Sequence, residues 1–529
     1  MKKTLSLVLA LVMLLACALP ACAEVTAKGE LPIVTEPITL KVAFPVKSNV
    51  EDINTNALTL WIEEQTGINL EFIELSTSDT ATQVNAIMNG GDLPDVFLGY
   101  VFPYDMLCAY ADAGLIVPLD EQFEKYGQNV YDVIISDLGE KTLSYVSYDD
   151  HIYAVPAGGA MITNVYGRYR NIYQTAFLDA LGMEIPSTLD ELYAYLVGVR
   201  DNDVNGNGDP NDEIPMTAFL QDGGNFAFSM ISQAYQYTDV DTFLKVNDGK
   251  VSFIGNNDLF KEAIIFMKKL VDEKLLDPAS FTQDASVVAS IVAQEGNNVG
   301  LLANGNFYSN VFDSTGEEFS TLRGQRNLEG PYGYKSTPYL GTSVNTAMVV
   351  TSACENVDAA FRLADFLLSD EAAIAVRVGF EGQQWKKADE GVLGRDGQQA
   401  WFSLLTAQEW IQPSTNVIWL NEKFIHSNIM NHCEAGIGSS KFNFAADIWE
   451  FNLPYEVTNE LLPSLIMSPE MTTEYNELKD LILGYVNTNI AQFVLGDRSL
   501  DEWDDYCKDL EKMGVDYYVE LAQEAYDAM

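Results

Sequence analysis

Apolar residues recur along the first hundred positions in two periods. Ile38, Leu40, Val42 and Phe44 alternate with their neighbours, which predicts a strand with a buried face. Ala57 to Glu64 carries apolar residues at helical spacing and ends before Gly67, which predicts a helix. Leu70, Phe72 and Leu75 predict a second strand. Ala81, Val84, Ile87 and Met88 predict a second helix, capped by Ser78 and Asp79 and stopped by Gly90 and Gly91. Asp95-Val96-Phe97-Leu98 is the short apolar run of a third strand. This order implies parallel strands covered by helices. Ligands of such sheets lie at the carboxyl ends of strands, here the loops after Phe44, Leu75 and Leu98.

A second α/β region begins near Ala157. Ser187 to Val199 reads as a helix, with Thr188 and Asp190 suited to its first turn. From Asp258 to Lys274, Phe260, Ala263, Ile264, Met267 and Leu270 form one apolar stripe. A strand at Thr346 to Val350, a helix at Val357 to Leu368 and a helical, aromatic-rich tail from Asn459 follow. The 529 residues exceed what one hydrophobic core holds. The expected fold is α/β in two lobes: 36–155 plus 345–395, and 156–344 plus 396–529 with the helical tail. The pattern equally suits an α/β enzyme with an inserted helical domain.

The chain opens with Lys2 and Lys3 and an apolar run from Leu5 to Leu19, so residues 1–23 read as an export signal. Two processing sites remain open. Leu14-Leu15-Ala16-Cys17 resembles a lipobox, which would anchor Cys17 to the outer face of the cytoplasmic membrane. Ala21-Cys22-Ala23 fits cleavage before Glu24 and release. No later run of twenty apolar residues predicts a second span. The net charge of -47, from 77 acidic and 30 basic residues, repels phosphate backbones and argues against nucleic acid as a partner. Cys108, Cys354, Cys433 and Cys507 show no close pairing, so four thiols are the default. His151, His426 and His432 stand in no zinc or Ser-His-Asp motif.

The sharpest local signal is Asp201 to Glu213. Asp203, Asn205, Asn207 and Asp209 are spaced by two, with Gly206 and Gly208 between them, and Asp212 or Glu213 can supply a last ligand. Alternating oxygen side chains on a glycine-containing turn can converge on a hard cation, as in an EF-hand. The twelfth position from Asp201 is not Glu, however, and the flanks do not read as an EF-hand pair. The other reading is a solvated Asx turn.

Several segments together resemble one family. They are Gly90-Gly91-Asp92-Leu93-Pro94-Asp95-Val96-Phe97, the run from Asp203 to Pro215, Ala359 to Asp370 with Gly379-Phe380-Glu381-Gly382, and Phe493-Val494-Leu495-Gly496 leading into Leu500-Asp501-Glu502-Trp503. In order and spacing they resemble the extracellular solute-binding proteins of bacterial ABC importers, in the carbohydrate-type family 1, long lipoprotein-like branch. The resemblance implies two lobes around a hinge of several crossings and closure on a ligand. It also implies delivery to a membrane permease, no covalent chemistry, no organic cofactor, a monomer, and a structural Ca²⁺ at the Asp203–Glu213 loop. The ligand it implies is a sugar, most simply an oligosaccharide. A peptide or other nutrient, and a secreted glycoside hydrolase, are the alternatives.

Sugar rings stack on aromatic planes and their hydroxyls need polar partners. The expected ligand contacts are Trp385 with the nearby Glu381, Tyr104 beyond the third strand, Asn306 and Phe307 after Gly305, and Arg168 should the sugar be acidic. The expected hinge segments are Ala154 to Gly159, Gly341 to Thr346, and Gly379 to Gly382.

Overall fold

The computed structural model describes residues 24–48, 50–136, 139–158, 171–221, 224–292, 298–303, 322–337, 344–394, 397–405, 419–420, 429, 432–434, 453–455, 457 and 459–529. The first lobe opens with β1 (Ile38–Val46), α1 (Ala57–Thr66), β2 (Ile68–Ser76), α2 (Thr80–Gly90), β3 (Val96–Leu98), α3 (Tyr104–Asp112), α4 (Asp120–Tyr126) and β4 (Ala154–Ala157). The chain then crosses to the second lobe for β5 (Ile172–Gln174), α5 (Leu189–Asp201), β6 (Ile214–Ala218), α6 (Asp258–Asp272), β7 (Val299–Ala303) and β8 (Leu322–Gly324). It returns for β9 (Asn345–Val350), α7 (Val357–Leu367) and α8 (Asp370–Arg377). It finishes on the second lobe with α9 (Pro469–Leu495), α10 (Trp503–Met513) and α11 (Val515–Asp527). No described helix is long and apolar enough to cross a membrane.

The first sheet has the order β2-β1-β3-β9-β4. β1 is parallel to β2 and β3, while β9 runs antiparallel to β3 and β4. Both faces are covered. Leu40, Val42 and Phe44 face one core, and Ala43, Leu75 and Phe97 face the other. This is why the period-two signal in β1 breaks at Ala43. The second sheet has the order β8-β5-β7-β6, with β6 and β7 parallel. Its core takes in α6, whose five predicted stripe residues are all buried, and the C-terminal helices. Trp503 packs α10 against Phe260 of α6 and Phe493 of α9.

Three expectations are corrected. Asp79 stands at the start of α2 but makes no side-chain cap. The local hydroxyls turn elsewhere: Ser76 and Ser78 share a hydrogen bond, and Thr80 donates to the Ser76 carbonyl. Next, the segment after residue 396 does not pass directly to the second lobe. Phe402, Leu404, Trp419, Leu420, Ile429 and Cys433 join the first lobe's core. Trp419 meets Phe44 and Phe72 edge-on at 4.6 and 5.1 Å, and its Nε1 donates to Thr59 Oγ1 at 2.8 Å. Finally, Gly379 to Gly382 lies between α8 and Trp385, both packed on that same core, so this segment joins no two lobes. The chain passes between the two sheets after β4 and before β9, and of the expected hinge segments there Gly159 and residues 341–343 lie outside the described residues.

Candidate functional site

The carboxyl end of β3 is held by a strand from far along the chain. Gly99 adopts φ 73°, where a side chain would strike the Phe44 ring. Its N–H donates to the Ala347 carbonyl at 2.9 Å. The Thr346 hydroxyl then takes the Phe102 N–H at 2.7 Å and donates to the Tyr100 carbonyl at 3.0 Å. Between them these bonds set a rim of aromatic residues. Tyr100 and Phe102 meet at 4.8 Å with perpendicular rings, and Phe102 leans on Phe97 and Tyr110. Tyr100 stays half-buried and Val101 exposed, so the rim offers an amphipathic face at the strand ends. Thr346→Val should remove both hydroxyl bonds and lower stability by about 1–3 kcal/mol. Chemical denaturation of the variant reads this directly.

Tyr104 begins α3 just beyond this rim. Its hydroxyl donates to the Ser147 carbonyl at 3.0 Å, and burial pushes its phenol up to about 12. It stays neutral, and a hydrogen-bond donor, through physiological pH. Tyr104 lines a cavity of about 540 Å³ with Lys141, Ser147 and Tyr148 of the first lobe and Ile466 and Met529 of the second. Beside it the Tyr145 hydroxyl donates to the Ser464 carbonyl at 2.9 Å, linking the two lobes directly. α9 also runs against α3.

On the second lobe, Ile172 lies opposite Leu302, so the start of β5 shares an edge with the carboxyl end of β7. Asn171 occupies that edge. It is 4% exposed, and its Oδ1 has no hydrogen-bond partner. An orphaned buried amide oxygen beside the carboxyl end of β7 is a polar group held ready for a donor. Sequence reasoning missed Asn171, Tyr100 and Thr346, because only the pairing of distant strands brings them to these edges.

Trp385 is half-buried, its Nε1 donates to the Gly379 carbonyl at 2.9 Å, and its ring meets Phe402 at 5.9 Å. Glu381 is exposed and bridges to Trp385 through the backbone. Arg168, Asn306 and Phe307 lie outside the described residues. Cys108 and Cys354 are buried thiols, Cys433 is buried as well, and Cys507 is half-buried. His151 contacts exposed Asp120 at 3.0 Å, and His432 stacks on Trp401 at 3.8 Å.

The Asx loop joins α5 to β6. Gly206 and Gly208 take φ 71° and 93°, the left-handed region that glycine adopts without strain. Asp203 Oδ2 accepts the Gly208 N–H, Asn205 Oδ1 the Asn207 N–H, and Asn207 Oδ1 the Asp209 N–H, at 2.8 to 3.0 Å. The Asn207 amide donates to Asp212 Oδ2 at 2.6 Å, and Glu213 Oε1 accepts the Val204 N–H at 3.0 Å. Two carboxylate oxygens at opposite ends of the loop, Asp203 Oδ1 and Glu213 Oε2, are buried without any partner. Buried anionic oxygens without donors fit a hard cation. Among the described residues no trio of His, Cys, Asp or Glu forms a metal cluster, so any cation here would also draw on the asparagine oxygens.

Comparison with known proteins agrees with this architecture. The family described as bacterial extracellular solute-binding protein matches residues 49–374. The fructooligosaccharide ABC transporter substrate-binding protein FusA of Streptococcus pneumoniae is 26% identical over 500 residues, covering 90% of this chain and 88% of FusA. The structure of a FusA EF-hand mutant in complex with fructo-nystose superposes with a TM-score of 0.71 at 22% identity, covering 93% of this chain and 99% of that one. An HMO-binding solute-binding protein of Bifidobacterium longum infantis gives a TM-score of 0.74 at 19% identity, with 93% and 99% coverage. The alginate-binding protein AlgQ2, solved without calcium ion, gives 0.61 at 17% identity, with 93% and 98% coverage. An EF-hand and a calcium ion thus figure among the relatives of this fold. With the family matched over more than half of its length, the chain belongs to the bacterial extracellular solute-binding proteins, a family of binding rather than covalent chemistry.

Proposed function

We propose that this protein captures an oligosaccharide outside the cell and delivers it to the permease of an ABC importer. The observation that carries this reading is the family match, set on two lobes whose strand ends carry an aromatic rim and an orphaned amide. The likeness to FusA, which binds fructooligosaccharides, makes neutral fructose-based chains the first ligands to try. The -47 charge favours a neutral ligand over an anionic one. Tyr104 and Trp385 would stack on sugar rings, with Glu381, Asn171, Asn306 and Phe307 completing the contacts and Arg168 serving an acidic sugar. The Asp203–Glu213 loop would hold a structural Ca²⁺. Export would leave the protein anchored through Cys17 or released after Ala23.

A thermal-shift screen of neutral oligosaccharides, uronates and short peptides tests the reading. A ligand at one hundred times its Kd stabilises the folded chain by about 2.7 kcal/mol. The expected hit is a neutral oligosaccharide recovered intact. A shift with uronates alone would move the weight to Arg168, and a shift with peptides alone would overturn the carbohydrate assignment. Cleavage of the glycan would overturn binding without chemistry. With a hit in hand, Trp385→Ala should weaken binding on the order of tenfold if its ring is a platform. An unchanged Kd would leave it as packing against Phe402.

A further inference from the structure

We propose that Asn298 is a positioning residue of the cation loop, so that a bound cation ties two strands of the second lobe together instead of bracing a local turn. This rests on the reading that the loop holds Ca²⁺. Asn298 lies 85 residues beyond Glu213 in sequence, immediately before β7. Nothing in the Asx motif points to it.

Its side chain reaches two of the loop's six candidate ligands. Asn298 Nδ2 donates to Asp212 Oδ2 at 2.9 Å, and Asn298 Oδ1 accepts from Asn205 Nδ2 at 3.3 Å. Each bond has a consequence for ligation. A carboxylate whose Oδ2 takes donors from Asn298 and Asn207 at 2.9 and 2.6 Å, and whose Oδ1 takes only the long 3.5 Å contact from Asn205 Nδ2, keeps Oδ1 as its freer acceptor. A carboxamide whose Nδ2 is engaged has its flip settled, so Asn205 presents its Oδ1 to the loop interior. Orientation of ligating groups by such outer partners commonly alters metal affinity by about 10–100-fold.

The main chain completes the tie. The Asn298 carbonyl accepts the Ile214 N–H at 2.8 Å, at the first residue of β6, and the next residue, Val299, lies opposite Ile214 in the parallel pair. One residue therefore joins the loop, the start of β6 and the start of β7. At their far ends β6 leads into Phe219 and Leu220 and β7 ends at Ala303 beside Asn171. The cation would stiffen the strand pair that carries one wall of the ligand-binding edge. The unpartnered Asp203 Oδ1 and Glu213 Oε2 supply the charge that a cation needs, and the Asn298 amide aligns the neutral and shared donors around them.

The test measures Ca²⁺ affinity of the full chain by competition with a fluorescent chelator. Melting is followed in parallel in Ca²⁺ and in EGTA, for wild type, Asn298→Ala and Asn298→Ser. The expected result is a 10–100-fold weaker Ca²⁺ affinity for Asn298→Ala, a smaller loss for Asn298→Ser, and melting in EGTA close to wild type for the serine variant. Wild-type Ca²⁺ affinity in both variants, with wild type itself responding to Ca²⁺, would overturn the role of Asn298 and leave the loop reading intact. Equal destabilisation in Ca²⁺ and in EGTA would mark Asn298 as packing only and also overturn it. A wild type that ignores Ca²⁺ would instead remove the cation loop, and this inference with it.

Discussion

Asp365→Ala is expected to destabilise the first lobe by about 3–5 kcal/mol, the range for stripping a buried charge from its partners. Asp365 is 4% exposed on α7. Its Oδ1 accepts the backbone N–H groups of Gln128 and Val130 at 3.0 Å each, and its Oδ2 accepts the Asn129 amide at 3.2 Å. The Gln128 and Val130 N–H groups stand at the start of the helical turn Val130–Ile135, and alanine would leave both without this acceptor, while the Asn129 amide would keep the Asp365 main-chain carbonyl at 2.9 Å. Arg362, one turn earlier, straps the N-terminal segment by donating to the Ala27 and Glu30 carbonyls and would lose its neighbouring charge. Burial holds the Asp365 carboxyl above its ordinary value of 3.8, although the three donors and Arg362 pull the other way. The folded state therefore keeps its proton longer than the unfolded one. Stability from this group falls as pH rises from 3.8 through the folded pKa. Asp365→Asn should flatten that fall and, by retaining an oxygen for Gln128 and Val130, cost much less than alanine. Denaturant midpoints of the two variants between pH 4 and 7 check both statements. Equal losses for alanine and asparagine would contradict the role given to the backbone donors.

Removal of the Ca²⁺ proposed for the Asp203–Glu213 loop is expected to be the second large effect. A cation present at a thousand times its Kd adds about 4.1 kcal/mol to the stability of the folded chain, and EGTA should withdraw it. The withdrawal would leave Asp203 Oδ1 and Glu213 Oε2 buried and unpaired. The loss should fall on the second lobe, where the loop joins α5 to β6. Differential scanning calorimetry in EGTA and in excess Ca²⁺ reads it as a separation of the melting transitions. Superimposed transitions would leave the segment as an Asx turn, held by its own Asn207, Gly208 and Asp209 N–H bonds.

What was legible in the sequence was local. The β1 alternation, the α6 stripe and the Gly67 and Gly91 helix ends depend on neighbours a turn away, and each appears where periodicity puts it. The spacing of the Asx loop is likewise a property of consecutive residues. The cap predicted at Ser78 and Asp79 failed at the same scale, because Ser76, Ser78 and Thr80 had nearer partners. The rest depended on contacts between remote segments. Thr346 meets the loop after β3 from 244 residues away, and Trp419 reaches Thr59 across 360. No pattern around residue 402 or 419 shows that the chain goes back to the first lobe's core, since apolar residues there would fill either core. Trp385 stands out in the sequence by its glycine neighbours, and Gly379 and Gly382 shape a turn within one lobe. The partner groups of a ligand site come from several loops, so a single sequence names candidates without bringing them together.

The two lobes are expected to hold an oligosaccharide without altering it. Isothermal titration of the chain with the best oligosaccharide from the thermal screen, followed by chromatography of the recovered sugar, tests it most directly. The predicted result is saturable heat at one sugar per chain, with the sugar recovered unchanged. Absence of saturable heat with every carbohydrate, while a peptide titrates to one per chain, would contradict the account.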